Sequence, residues 1–337
     1  YPGHARHRMH AVPEKTGAAL EARLLAAAAE AGITIVTEAL AETLFFDEAG
    51  KAVAVGLKRP GNTTEVIGCG NLILACNGYG GNQQLVAEHI PQIAGGQYYG
   101  HAGNTGHALT WGEALGAEIK HLSGYQGHGS LAHPHGILIS WALMMQGAVQ
   151  LNNEGRRFSN EMGGYSEQAV KVLNQPDGIA WNIYDAQRHN FLVNGFPDYC
   201  EAVGAGAIHC GADAAELAKV TCLPELILAS TLAEVQALAS GVGSDALGRD
   251  FTGVTPLKAP YYAVKVTGAL FHTQGGLVID NTARVHRADG GTFMNLYASG
   301  GAACGVSGPA VEGYLSGNGL LTAIAFGYLA GRNACVV

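Results

Sequence analysis

Charge is scarce in this chain: 14% of its 337 residues are Asp, Glu, Lys or Arg, with 27 acids against 19 bases. The net charge of −8 and the lack of any Lys- or Arg-rich face argue against nucleic acid or an anionic membrane as the main partner, and leave small molecules. The seven cysteines are odd in number, scattered and without a Cys-x-x-Cys pair, which argues against a disulfide framework or a zinc site. They predict reduced, mostly buried thiols in a cytoplasmic protein. No apolar run is long enough to span a bilayer, and residues 1–8 lack a signal-peptide pattern. A first residue other than methionine points to processing or to a missing amino-terminal piece. Also absent at the start is a strand leading into Gly-x-Gly-x-x-Gly, a helix and an acidic residue, the usual dinucleotide fingerprint.

Glycine, by contrast, is abundant, at 49 residues with no collagen-like period. That abundance fits many close backbone approaches, as nucleotide and flavin sites require, and abundant loops would also explain it. With 48% hydrophobic residues the chain can bury a sizeable core, in two domains or in one domain with a large insertion. Helical spacing covers about Thr16 to Ala31, with Gly32 as a stop. Ile33 to Val36 reads as a short strand, and Thr43 to Phe46 and Ala52 to Leu57 as a hairpin around Asp47 to Gly50. Asn71 to Ala75 reads as a buried strand ending in a glycine loop, and a helix runs to about Gly116 with Thr105 or Asn104 as its cap. From about Tyr125 to Gly268 the texture changes to histidines, longer polar loops and helical pieces at Ala212 to Val220 and Leu232 to Ser240. Strand texture returns at Gly275 to Ile279 and Phe293 to Tyr297, and a small-residue loop from Gly308 then runs into an apolar closing helix. The fold class read from this order is α/β: an incomplete Rossmann-like body with an inserted α+β capping domain. Residues 1–124 and 272–337 form the body, and 125–271 the cap.

Four stretches, in order, carry a resemblance to a known family. They are Leu72-Ile-Leu-Ala-Cys-Asn-Gly-Tyr-Gly-Gly-Asn82, Asn104-Thr-Gly-His107, Gly147-Ala-Val-Gln-Leu-Asn-Asn-Glu-Gly-Arg-Arg-Phe-Ser-Asn-Glu161 and Thr273-Gln-Gly-Gly-Leu-Val-Ile-Asp280. Together they resemble the FAD-dependent fumarate reductases, succinate dehydrogenase flavoprotein subunits and 3-ketosteroid dehydrogenases. The resemblance implies bound FAD, with Ala75, Asn77, Gly78, Gly106, Gly300, Gly301, Ser316, Gly317, Asn318 and Leu320 lining its site. It also implies a closing helix that aims its positive amino end at the flavin's pyrimidine edge. Gly301 stands where the family usually has a glutamate, and His107 where an aspartate is common. Because family members begin with a strand and glycine loop for the ADP half of FAD, about a third of the fold is expected from elsewhere. A second chain, in a hetero-oligomer, is the expected source.

Dicarboxylate-reducing members hold their substrate with two arginines and two histidines, since two carboxylates need paired cations. Here Tyr314 stands at the clamp arginine, Tyr165 at the arginine acid and Phe271 at one histidine; only His128 keeps its position. This pattern resembles the ketosteroid dehydrogenase branch and implies a neutral ketone. Tyr165 is then the acid/base, and Tyr314, helped by the backbone near Gly317, the carbonyl donor. A ketone acidifies its α C–H, a phenolate can take that proton, and flavin N5 accepts hydride from the β carbon.

Blander readings stay open. A tyrosine in a glycine-rich loop is often packing. His272 reads as structural, Arg157 and Glu154 as a loop salt bridge or a proton route, Trp141, Met144 and Met145 as core or pocket wall, and His128, His133 and His135 lack a metal pattern. Two other functions compete with a ketone dehydrogenase or ene-reductase. One is a reductase of unsaturated carboxylates; the other is a non-catalytic partner that completes another chain's FAD site.

Overall fold

Local sequence sets where the first elements begin. The structure, a computed structural model, describes residues 4–6 and 9–335. Residues 1–3, 7 and 8, read above for a leader, lie outside them. Thr16 accepts a hydrogen bond from the Ala19 amide and opens α1 (Gly17–Glu30), as the spacing predicts. No residue of α1 is buried, so its Leu24 and Leu25 face solvent. Ile33 to Val36, expected as a strand, form none. Among the described residues no strand runs beside them, and without a neighbour there is no hydrogen-bond ladder.

The predicted hairpin is present as β1 (Leu40–Phe46) and β2 (Ala52–Arg59), and β3 (Thr63–Gly68) extends it. Its turn is set by Asp47, whose Oδ1 accepts from the Ala49 and Lys51 amides. Next come β4 (Leu72–Leu74), α2 (Gln83–His89), β5 (Gln97–Tyr98), α3 (His107–Leu115) and β6 (Ile119–Lys120). The α3 cap is neither Thr105 nor Asn104 but Gly106, at φ +88°. The Thr105 hydroxyl is turned instead to His107 Nδ1, 3.0 Å away.

The middle of the chain builds the largest sheet. It contains β7 (Tyr125–Ala132), β8 (Ile137–Leu138), α4 (Ala142–Met145), β9 (Val149–Leu151), α5 (Tyr165–Leu173) and β10 (Ile179–Asp185). Then follow α6 (Ala186–Gly195), α7 (Pro197–Gly204), β11 (Ile208–Gly211), α8 (Ala214–Thr221), α9 (Glu225–Ala239) and β12 (Tyr261–Thr273). The sheet order is β8-β7-β12-β10-β9, with β11 and β5 also paired to β12. Helix α5 lies against β7 and β12 where glycines leave the sheet bare. A Cβ on Gly127 would stand 2.7 Å from Ser166 O, and one on Gly129 2.8 Å from Gln168 Cγ. This close approach fixes Tyr165, the first residue of α5.

The last elements are β13 (Gly276–Leu277), β14 (Arg284–His286), β15 (Thr292–Ala298) and α10 (Asn318–Ala334). Strand β15 pairs in parallel with β4, Tyr297 opposite Ile73, so two glycine loops more than 200 residues apart leave the same sheet edge. The result is a mixed helix and sheet architecture, and the expected 271/272 boundary falls inside β12. The thiols differ from expectation: Cys76, Cys200, Cys210, Cys222 and Cys335 are exposed, and only Cys69 and Cys304 are partly covered. Cys69, Cys76 and Cys304 lie in loops and Cys222 and Cys335 at helix ends, while Cys200 in α7 and Cys210 in β11 stand on exposed faces. Among the described residues no helix is long and apolar enough to cross a membrane.

Candidate active site

Where β4 and β15 end and α10 begins, the chain lines an open cavity of about 490 Å³. Ala75 and Asn77 enter it after β4, Gly300 and Gly301 after β15, and Ser316, Gly317 and Leu320 from the loop and first turn of α10. Left-handed backbone at Asn77 (φ +62°), Gly300 (φ +58°) and Gly317 (φ +92°) turns these loops toward the space. Of the other expected cofactor residues, Gly78 and Gly106 stand outside the lining. The Gly78 amide is held by Asn77 Oδ1 at 2.8 Å, and the Gly106 amide by Gly78 O at 3.1 Å. Asn318 faces an adjoining cavity and donates to Ser307 Oγ at 3.0 Å.

The opposite wall brings Tyr165 from α5, Tyr314 from the closing loop, Gln126 from β7 and His272 from β12. The two tyrosine rings meet edge to face, centroids 6.1 Å apart. Their hydroxyls interact, and the Tyr314 hydroxyl also meets the backbone of Gly317 and Gly319. Burial first, and then neighbouring Tyr165, push the Tyr314 phenol well above its usual 10. Tyr314 therefore keeps its proton and is able to donate a hydrogen bond. Gly319, at the start of α10, lies so close that a Cβ there would collide with the His272 ring.

His272, read from the sequence as structural, lines the cavity edge-on to Tyr314, with ring centroids 5.8 Å apart. Burial lowers its pKa and keeps it neutral. Gln126, Gly319 and Ala323 also line the space without having been singled out. Its place beside Phe271 was the available signal for His272, because the register of β12 against β7 shifts between Leu270 and His272 and breaks the alternation there.

His128 is absent from the lining. It stands behind Tyr165, ring centroids 5.0 Å apart, and stacks on Phe271 at 5.2 Å with Trp141 edge-on at 5.7 Å. Burial takes its pKa from the usual 6.5 down to about 3. The unfolded chain then takes up the proton first, so this site's stability is whole above pH 6.5 and is lost as pH falls toward 3. The slope is about 1.4 kcal/mol per pH unit. His128→Phe should flatten it: between pH 7 and 5 the variant should lose about 2 kcal/mol less than the parent in urea unfolding.

Arg157 and Glu154 form no route into the cavity. Arg157 is bound 2.8 Å from both Glu161 and Asp245, while Glu154 is exposed. Trp141 and Met144 are core, and Met145 is 38% exposed.

The sequence matches the FAD binding domain family over residues 2–320. The chain belongs to this family. Among FAD binding domain proteins it is 30% identical over 271 residues to a probable fumarate reductase of Shewanella frigidimarina, covering 80% of this chain and 45% of that one. It is 25% identical to 4-oxocyclohexanecarboxylate 2-dehydrogenase of Sinomonas cyclohexanicum, covering 94% and 60%. An open flavocytochrome c3 fumarate reductase superposes with a TM-score of 0.79 at 28% identity, over 97% of this chain and 57% of that one. The chain spans about half the length of the curated relatives it matches.

The family's cofactor is FAD, and the cavity suits its ring. Side-chain-free walls at Gly300, Gly301, Gly317 and Gly319 admit a flat group, Ala75, Leu320 and Ala323 offer apolar faces, and the start of α10 offers backbone N–H groups.

Proposed function

We propose that this chain forms part of an FAD-dependent oxidoreductase that introduces or removes a C–C double bond beside the carbonyl of a cyclic or steroid-like ketone. One observation carries the reading: two tyrosines in contact share a cavity wall on which, among the described residues, no lysine or arginine stands. A dicarboxylate would find no cation there, whereas a ketone oxygen meets a proton donor. Tyr314, protonated and held by the Gly317 and Gly319 backbone, donates to the carbonyl and so acidifies the α C–H. Tyr165 takes that proton, or returns it in the reverse direction. Bound FAD supplies the hydride acceptor or donor for the β carbon. The cyclic ketone in the name of the Sinomonas relative agrees with this class of substrate.

Residues 1–124 and 272–337 hold the cofactor in this reading, and 125–271 cap it. A second chain supplies the rest of the FAD site. What supports this is apolar surface left bare: Leu24, Leu25, Ile33, Ile35 and Val36 near the start of the chain, and Leu321 and Ile324 on α10. FAD held tightly by this chain purified alone would sink the two-chain proposal.

A reductase of unsaturated carboxylates is the second reading, favoured by the 30% identity to a probable fumarate reductase. Rapid-mixing spectra decide between them. Cyclic ketones should bleach the oxidised flavin, or cyclic enones reoxidise the reduced one, and fumarate should do neither. Reoxidation by fumarate or acrylate but not by cyclic enones would give the second reading its place.

A further inference from the structure

Beside the main cavity lies a second of about 280 Å³, and the two share Tyr165, Tyr314 and Ser316 as walls. Glu167, from the first turn of α5, and Glu312, two residues before Tyr314, also line it. We propose that Glu167 and Glu312 are specificity residues that turn away anionic substrates, so that the part of the ketone beyond its carbonyl is neutral or cationic. The inference rests on the ketone reading for where the substrate's carbonyl sits, and its electrostatic core applies to any ligand of the shared space.

Three observations carry it. Among the described residues neither carboxylate forms an ion pair, although Lys171, one turn after Glu167, draws part of its charge. The Glu312 charge reaches Glu167: burial raises the Glu167 pKa and the Glu312 charge raises it further. Finally, the described lining of the two cavities holds these two acids and no lysine or arginine, while Lys171 Nζ, 3.6 Å from where a Gly163 Cβ would stand, offsets them only in part. A carboxylate in this space would meet two acids that one lysine offsets only in part, a net negative field that disfavours it. Relatives named for fumarate and for 4-oxocyclohexanecarboxylate act on anions, so this chain has departed from them in substrate charge.

An acid and its ester test this on the FAD-loaded complex. Binding of 4-oxocyclohexanecarboxylate and of its methyl ester is measured by calorimetry at low salt, on the parent and on the double variant Glu167→Gln/Glu312→Gln. The ester should bind about tenfold tighter to the parent, and the variant should bring the ratio toward one through a gain by the acid. A parent that prefers the acid, or a ratio that the double variant leaves in place, overturns the inference. Fumarate and its dimethyl ester form the second arm. If neither ketone binds but dimethyl fumarate still outcompetes fumarate, the ketone reading fails and the charge selection stands. If none of the four binds, both fail. Circular dichroism and retained FAD confirm that the variant is folded.

Discussion

Tyr314→Phe should lower the turnover of a cyclic ketone by about 10²- to 10⁴-fold while the complex keeps its FAD. The substitution removes one oxygen and little volume, so a folding defect is not expected from it. That oxygen is a donor held in place: its pKa lies well above 10, and the Gly317 and Gly319 backbone and Tyr165 surround it. Tyr165→Phe should cost a similar factor, because no other titratable side chain on that wall suits the proton. His272, its neighbour on the wall, is neutral and has its Nδ1 3.0 Å from Thr273 O. The two tyrosines act on one transition state, so the double variant should lose much less than the product of the single losses. Stopped-flow flavin absorbance with saturating ketone reads these losses directly. Parent-like turnover in both single variants would remove the proposed chemistry and leave the cavity as a cofactor site alone.

Much of this site is legible in the sequence. Its glycine loops and its two tyrosines sit in stretches with strong local character, and the parallel pairing of β15 with β4 brings the loops together. Which neighbour on β12 faces the cavity was harder. Phe271 was the residue singled out, yet it stacks on His128 while His272 lines the space. The register against β7 shifts between Leu270 and His272, and a bulge of that kind depends on the partner strand as much as on the sequence. His128 shows a different limit. Its place in the motif gives its position in the chain but not its depth, and only the packed Phe271, Trp141 and Tyr165 rings show that it stands behind the wall. Ile33 to Val36 show a third, since β-branched residues read as a strand whether or not a neighbour exists.

Glu161→Ala should be strongly destabilising, by about 3–5 kcal/mol. Glu161 is fully buried and accepts from Arg157 Nε at 2.9 Å, Arg157 Nη2 at 2.8 Å, Arg249 Nη1 at 3.1 Å and the Gln150 amide at 3.1 Å. Asp245 holds the far side of Arg157, and both guanidinium groups lie over the Phe251 ring. Two acids and two bases thus balance, 88 residues apart in the chain between Arg157 and Asp245. Burial alone would raise the Glu161 pKa, but the two arginines outweigh it and keep the carboxylate charged. Removing it leaves two buried cations against one carboxylate, which is the costly case. Glu161→Gln keeps the shape and some hydrogen bonds but not the charge, so it should also destabilise, though less than alanine. Urea unfolding of the three proteins should rank them parent, Gln, Ala. The loss should reach the site as well, because Glu161 opens the short turn that leads through Gly164 into Tyr165 at the head of α5. Below the unfolding transition, Glu161→Ala should therefore weaken ketone turnover more than it weakens FAD retention. Equal stability of the alanine variant and the parent would show that the cluster contributes no net stability.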